Sequence, residues 1–417
     1  METQMNSVKQ RERDIPHVKR NIYLILSSTA LGNIADAIYT LSISWYILEH
    51  TGSAFLTATI TAITYITNVF AGPFVGVIVD RTNPKTAMQK AYIIMALIGL
   101  FMVFSYVFLI DYIVFSVMAM VIINDLAQSF IFPSRNRLLP RLIGVKRIAE
   151  VTGYLSSANN TSSLIGNALA GFLLSIIGFV GVMLTHTVLF LFAALLISWL
   201  VLPKTEKPQQ IHKVTIERNY WNEFLEGVKV LRGHSALLTL TLMNMGTNIV
   251  SIGYLYMVIL IKQYNAVAFQ FGLFEATGVA VAIITGLFAG KVTKRIKPVV
   301  ILSSAQIIAS LCMIFFGMGD RLVFAFILFA IQTFFSVLQA VVFGTLLITL
   351  VEPQYRARVD SLVVSISAVA MPATIFLGGY LADVLPIKYI FYVAGSWSLL
   401  MGFTPLFSKD VRQLKSI

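Results

Sequence analysis

Long apolar runs alternate with short polar punctuation from residue 21 to residue 407. A helix rising about 1.5 Å per residue needs roughly 20 apolar residues to cross a bilayer core of about 30 Å. Runs of that length predict membrane-crossing helices near 21–48, 54–79, 88–110, 112–134, 150–177 and 180–202, then near 236–261, 267–290, 298–318, 322–350, 360–384 and 387–407, twelve in all. The fold class is therefore all-α integral membrane, because inside lipid a helix satisfies its own backbone N–H and C=O groups.

Composition agrees with that pattern. The 417 residues are 57% hydrophobic and only 12% charged, which excludes an ordinary soluble protein. A net charge of +12 would suit nucleic acid, so its placement matters. Every one of the 31 Lys and Arg residues except Lys262, Arg321 and Lys388 falls in the N-terminal tail, in or at the border of a connection after an even-numbered span, or in the C-terminal tail. This is the positive-inside bias with both termini cytoplasmic, and it calls for no nucleic-acid partner. The basic tail and first apolar run imitate a signal peptide, but the run continues unbroken to Leu48 and reads as an uncleaved helix.

The runs divide the chain into a cytoplasmic tail (1–20), a six-helix bundle (21–203), a cytoplasmic loop (204–233), a second six-helix bundle (234–408) and a short cytoplasmic tail (409–417). In the loop, Tyr220, Trp221, Phe224, Leu225, Val228 and Leu231 recur at helical spacing, as in an amphipathic helix lying on the inner membrane surface or on the protein's own cytoplasmic face. The halves look related: Gly171 pairs with Gly379 and Val151 with Val359 at one offset of 208. GLFAGKVTKR after the eighth span parallels the stretch after the second, with Gly290 where Asp80 stands.

Polar residues within the spans carry the candidate chemistry. Thr29, Asn33, Asp36 and Thr40 share one face of the first span, and Ser156, Asn160, Ser163 and Asn167 one face of the fifth. Thr241, Asn244, Asn248 and Ser251 repeat the pattern in the seventh, and Gln332, Ser336 and Gln339 in the tenth. Such stripes either glue helices together or line a polar cavity. The cavity reading adds Tyr39 and takes Asn33, Thr40, Asn160, Asn167, Asn244, Asn248, Gln332 and Gln339 as substrate-facing; with the acids, the aromatics Tyr39, Trp45, Tyr46, Phe70 and Tyr254 suit a bulky amphipathic cargo, including a cationic one.

Three acids, Asp36, Asp125 and Glu275, lie well inside spans, and no Lys or Arg lies as deep in the apolar runs to pair with them, Lys90 standing at the very start of the third. Each must face water, find a polar partner or hold a proton, because an ionised carboxylate in lipid costs several kcal/mol. They are the proton-coupling candidates, and His186 in the sixth span could join a relay or simply pack as a neutral ring. Other chemistry is missing. GLFAGK has three residues between its glycines and fails the phosphate-loop pattern, no H-E-x-x-H or G-x-S-x-G occurs, and Cys312 is the single cysteine. No cofactor, metal, ATPase partner or enzyme activity is expected.

The stretch Gly72–Thr86, GPFVGVIVDRTNPKT, ends an apolar run on an Asp-Arg pair and a short turn. It resembles the G-x-x-x-D-R-x-G-R-R/K signature between the second and third helices of the major facilitator superfamily, through Gly76, Asp80, Arg81 and Lys85, with Asn83 and Pro84 replacing one glycine and one basic residue. Thr51-Gly52-Ser53-Ala54, Phe132-Pro133, Leu138-Leu139-Pro140, Phe224–Leu237 and Arg356-Ala357-Arg358-Val359 extend the likeness towards its macrolide-efflux and siderophore-exporter branch. The antiporter G-P-x-x-G-G pattern survives only as Gly166 and Gly171 of Gly166-Asn167-Ala168-Leu169-Ala170-Gly171.

The resemblance implies two six-helix bundles and a monomeric, proton-coupled exporter working by alternating access in a bacterial-type cytoplasmic membrane. Drugs or macrolides are the cargo it implies, with a home-made metallophore, siderophore or peptide as the alternative. In the hinge, Asp80 would accept hydrogen bonds from the N-terminus of a neighbouring helix, while Arg81 and Lys85 face headgroups or an acid. From another class, a lipid-handling protein or a transporter-derived sensor would keep the helices and show no cargo flux.

Overall fold

The computed structural model describes residues 17–144, 147–202, 228–250, 252–352, 355–368 and 370–414. Both chain ends, the amphipathic segment expected at 220–225, and the side chains of Gly72, Pro73, Gly76, Asp80 and Arg358 lie outside what is described.

The described residues are helical almost throughout. In the N-terminal half the helices are α1 (Val18–Thr51), α2 (Ala54–Arg81), α3 (Pro84–Phe108), α4 (Ile113–Ser129), α5 (Ile131–Ile143) and α6 (Ile148–Ser198). The C-terminal half follows with α7 (Ser235–Asn248), α8 (Leu255–Lys262), α9 (Ala268–Thr293), α10 (Pro298–Met318), α11 (Leu322–Leu350), α12 (Arg356–Ala368), α13 (Met371–Val384), α14 (Ile387–Phe407) and α15 (Lys409–Gln413). Among the described residues, nine helical stretches are long and apolar enough to cross a membrane. Their outward faces are those of a protein dissolved in lipid: Phe115 is 76% exposed, Leu287 74% and Phe407 82%.

α6 covers two expected spans. Straight, its 51 residues would extend about 76 Å, far more than one crossing requires. Gly178, with φ 64° and ψ −177°, breaks it where the sequence separates the fifth and sixth runs. A side chain there would meet left-handed strain, so glycine is what turns one apolar run into two crossings.

Two other expected spans are interrupted. The seventh stops at Asn248 and resumes as α8 at Leu255, and the eleventh is split between α12 and α13. Pro372, in the first turn of α13, has no N–H to continue the ladder from α12. The fourth span differs in the opposite sense. Beyond residue 134 it continues as α5, which carries Arg135, Arg137 and Arg141, and Arg135 is buried with its guanidinium 5.6 Å from the centre of the Phe132 ring.

Two compact units result. The first comprises Met1–His50, Ile63–Gln209 and Ala268–Leu273, and the second Thr51–Ala62, Gln210–Val267 and Phe274–Ile417. In the first, Met88, Tyr92 and Met95 of α3 pack with Phe190 of α6 and with Leu138 and Leu142 of α5. In the second, Leu240, Leu302 and Leu346 join α7, α10 and α11. An aromatic nest lies beside them, where Phe274 stacks on Phe329 at 3.9 Å and Phe316 on Phe391 at 5.6 Å.

The glycines paired at offset 208 make equivalent contacts. Within the first unit a β-carbon on Gly171 would collide with the backbone of Ala268 and Gly272, in the first turns of α9. Within the second, a β-carbon on Gly379 would collide with Ala58, in the first turns of α2. Leucine at either position is expected to cost about 1–3 kcal/mol through overpacking, read as a lower unfolding temperature of the detergent-solubilised protein. Gly153→Ala, where nothing lies within 4 Å, should leave the melting unchanged or raise it.

Candidate functional site

The second unit holds a half-open cavity of about 480 Å³, within the range of small-molecule sites. Asn244 and Asn248 reach it from α7, and Gln332, Ser336 and Gln339 from one face of α11. Spacings of four, and of four then three, keep each set on its own side of a helix. Gln306 and Ser398 close another wall, with the Gln306 amide donating to Ser398 Oγ at 2.8 Å. Tyr256 donates its hydroxyl to the side-chain carbonyl of Gln332.

The break between α7 and α8 borders this cavity, and the asparagines of α7 bond to the end of α12. Asn248 Nδ2 donates to the Ser367 carbonyl at 2.9 Å, and Asn244 Nδ2 to Ser367 Oγ at 3.2 Å. Ser367 sits at the end of α12, where the helical ladder stops before Pro372. Asn248 thus bonds a backbone carbonyl at the end of α12, as broken membrane helices require, while Asn244 bonds the Ser367 hydroxyl beside it. Val250, Ile252 and Gly253, from the gap between α7 and α8, line the same space.

The acids of the first unit form a separate cluster. Asp36 of α1 is half-buried and accepts a hydrogen bond from Asn124 Nδ2 at 3.2 Å. The neighbouring Asp125 of α4 is 9% exposed and takes a hydrogen bond from Thr64 of α2. Tyr39, one turn along α1 from Asp36, is within electrostatic reach of both carboxyls and stacks on His186 of α6, with ring centres 4.8 Å apart. The Tyr39 hydroxyl and both His186 ring nitrogens are buried and without hydrogen-bond partners among the described residues. Asn33 Nδ2 donates to Asn159 Oδ1 at 2.8 Å, tying α1 to α6.

The remaining candidates are dispersed. Thr40 and Asn160 are exposed and Asn167 is half-buried. Glu275 on α9 is half-buried and does not line the cavity of the second unit. Tyr39 is buried and stacked on His186. Asn159 was not singled out by its spacing, because the stripe through Ser156 and Asn160 passes beside it.

The basic residues near the hinge hold helix ends. Lys85 Nζ donates to the carbonyls of Ser198 at 2.7 Å and Leu200 at 2.8 Å, at the C-terminus of α6. Arg20 adds a bond to Trp199 O and Asn21 one to Val201 O. Arg137 donates to the Val79 carbonyl near the end of α2. Cations at helix C-termini satisfy orphan carbonyls and the negative end of the dipole. Arg81 is exposed.

A carboxylate on a helix N-terminus, the geometry expected of Asp80, is found at Asp383 of α13. Its Oδ1 accepts from Ala54 N at 2.7 Å and from Lys262 Nζ at 3.1 Å. Its Oδ2 accepts from Ser53 Oγ at 2.6 Å and Phe55 N at 3.0 Å. One side chain thus caps the first turn of α2 and holds the last residue of α8. The legible sign was Ser53, a helix-capping residue after Gly52; nothing local points to its distant partner.

The sequence profile described as Major Facilitator Superfamily matches residues 25–359, most of the chain. The chain belongs to the major facilitator superfamily. It is accordingly a multi-pass membrane transporter of small molecules and not an enzyme. Macrolide efflux protein A of Streptococcus pyogenes is 24% identical over 406 residues, covering 95% of this chain and 98% of that protein. The MFS-type transporter YvqJ of Bacillus subtilis is 24% identical over 388 residues, covering 92% of this chain and 91% of that one. Among solved structures, an inward-facing bacterial homologue of the lysosomal transporter Spinster superposes with a TM-score of 0.70 at 14% identity, covering 95% of this chain and 98% of that one. The D-xylose–proton symporter gives 0.70 at 11% identity, covering 96% of this chain and all of that one. These likenesses establish the shared fold.

Proposed function

We propose that this transporter is a proton-coupled exporter of amphipathic small molecules such as macrolides, acting as a monomer in a bacterial cytoplasmic membrane with twelve crossings and both termini inside. The observation that carries the proposal is the cluster of Asp36 and Asp125 within apolar helices, where their described partners are an amide and a hydroxyl. A carboxyl so placed exchanges a proton more readily than it holds a charge in lipid. Asp36 and Glu275 are the first-choice proton carriers, with Asp125 as the third. The likeness to the macrolide efflux protein named above supports outward transport of a bulky cargo, and the amide-lined cavity supplies a place to hold one.

In this topology Asp383, Lys262 and the start of α2 lie at the outer face, while Asp80, Arg81 and Lys85 lie at the inner one. Alternating access then needs the Asp383 cap to form and release once per cycle. The coupling is tested in energised inside-out vesicles loaded with a radiolabelled macrolide gradient. Uphill movement is expected to collapse to the level of protein-free vesicles when a protonophore is added. Transport persisting at its full rate would remove the proton from the mechanism.

A further inference from the structure

The cavity of the second unit sets polar side chains in a largely apolar wall and holds no formal charge among the described residues. Five carboxamides line it, and no Asp, Glu, Lys, Arg or His does so among the described residues. The internal hydrogen bonds determine what remains for a ligand. Asn244 and Asn248 each spend one N–H on Ser367 and keep the other N–H as a donor and the side-chain oxygen as an acceptor. Gln332 receives the Tyr256 hydroxyl on its oxygen and keeps its N–H₂ as a donor. Gln339, about two turns further along the same face of α11, offers both. Met243, Met313 and Phe343 supply apolar wall between these groups.

We infer that this cavity recognises the uncharged, hydroxyl- and carbonyl-bearing face of an amphipathic molecule, as in a polyhydroxylated lactone or glycoside, and discriminates against a cationic head group. The donors and acceptors alternate around the space, which suits hydroxyls that both give and accept a hydrogen bond. An ammonium could be solvated by Asn244 and Asn248 but would face the N–H₂ of Gln332, and a buried charge without a counter-charge is disfavoured. Met and aromatic surfaces accommodate the apolar remainder of the ligand. The acids of the first unit are left to the proton rather than to the cargo. The inference rests on the transport reading for its biological meaning, but its test needs no gradient.

Equilibrium binding is measured on the full chain in lipid nanodiscs with two probes, erythronolide B as a neutral polyhydroxylated macrolactone and tetraphenylphosphonium as a lipophilic cation. The lactone is expected to bind at least about tenfold more tightly than the cation. Replacing both Gln332 and Gln339 by Leu should weaken the lactone about tenfold, the loss of roughly two hydrogen bonds, and leave the cation unchanged. Gln339→Glu, which keeps the shape and adds a charge, should reverse the preference. Tighter binding of tetraphenylphosphonium to the native protein, lactone binding indifferent to the glutamine changes, or no binding of either probe would each overturn the assignment. Failure of the exporter reading would look different: normal lactone binding without uphill flux.

Discussion

Asp36→Asn reduces gradient-driven transport to the level of protein-free vesicles, while cargo exchange between equal pools on the two sides continues. That is the expected result if Asp36 carries the proton. The substitution preserves size and the Asn124 contact and removes only the group that can ionise. Purely structural use of Asp36 would give the opposite pattern, with coupling retained and both fluxes lowered together by partial unfolding. Size-exclusion and thermal-melting profiles of the purified variant separate the cases. Asp125→Asn is the informative neighbour: its carboxyl interacts with Asp36, so its loss should shift the pH dependence of transport before it removes transport. Normal pH-dependent uphill transport in Asp36→Asn would defeat the site, and the same measurement on Glu275→Gln decides whether the second candidate shares the role.

Asp383→Asn should release the cap on α2. The carboxylate accepts four hydrogen bonds, two of them from backbone N–H groups that have no helical partner of their own. An amide presents one acceptor and one donor in their place, and its N–H₂ would oppose the N–H of Phe55 or of Ala54. Charge-assisted bonds are worth about 1.5–3 kcal/mol, whereas the partly exposed Lys262 pair adds at most about 1 kcal/mol. A loss of that size changes a two-state population by roughly one to two powers of ten. Spin labels at residues 59 and 380, in a Cys312→Ser background, report the separation of α2 and α13. The short-distance population is expected to fall by at least about tenfold. An unchanged distance distribution would mean that Gly379 packing on Ala58 holds the helices together without the carboxylate.

Asp383 also shows why a local motif is an incomplete guide to the contacts that hold helix ends. The hinge after α2 announces itself through a contiguous run of glycines, Asp80, Arg81 and Lys85. The cap at Asp383 is assembled from residues more than three hundred positions apart, and each of them is ordinary in its own neighbourhood. Lys85 makes the same point in reverse. Its place in the motif is evident from the sequence, but its use as a clamp on the last carbonyls of α6 depends on how α3 and α6 come together.

Periodicity alone determined a good deal about this transporter. Apolar runs long enough to span lipid, with lysine and arginine gathered on alternate connections, follow from the requirement that backbone groups be satisfied inside each helix. The facing of Asn244 with Asn248, and of Gln332 with Ser336 and Gln339, follows from 3.6 residues per turn. Helical spacing does not say which stripes meet. Only the tertiary structure joined those two stripes across one cavity, set Tyr39 against His186 beside the two acids, placed Glu275 outside the cavity, and used Asn248 to satisfy the broken end of α12. The reason is physical: the side a helix presents is a local property of its own repeat, whereas a hydrogen-bond partner is supplied by whichever distant segment packs close enough to reach.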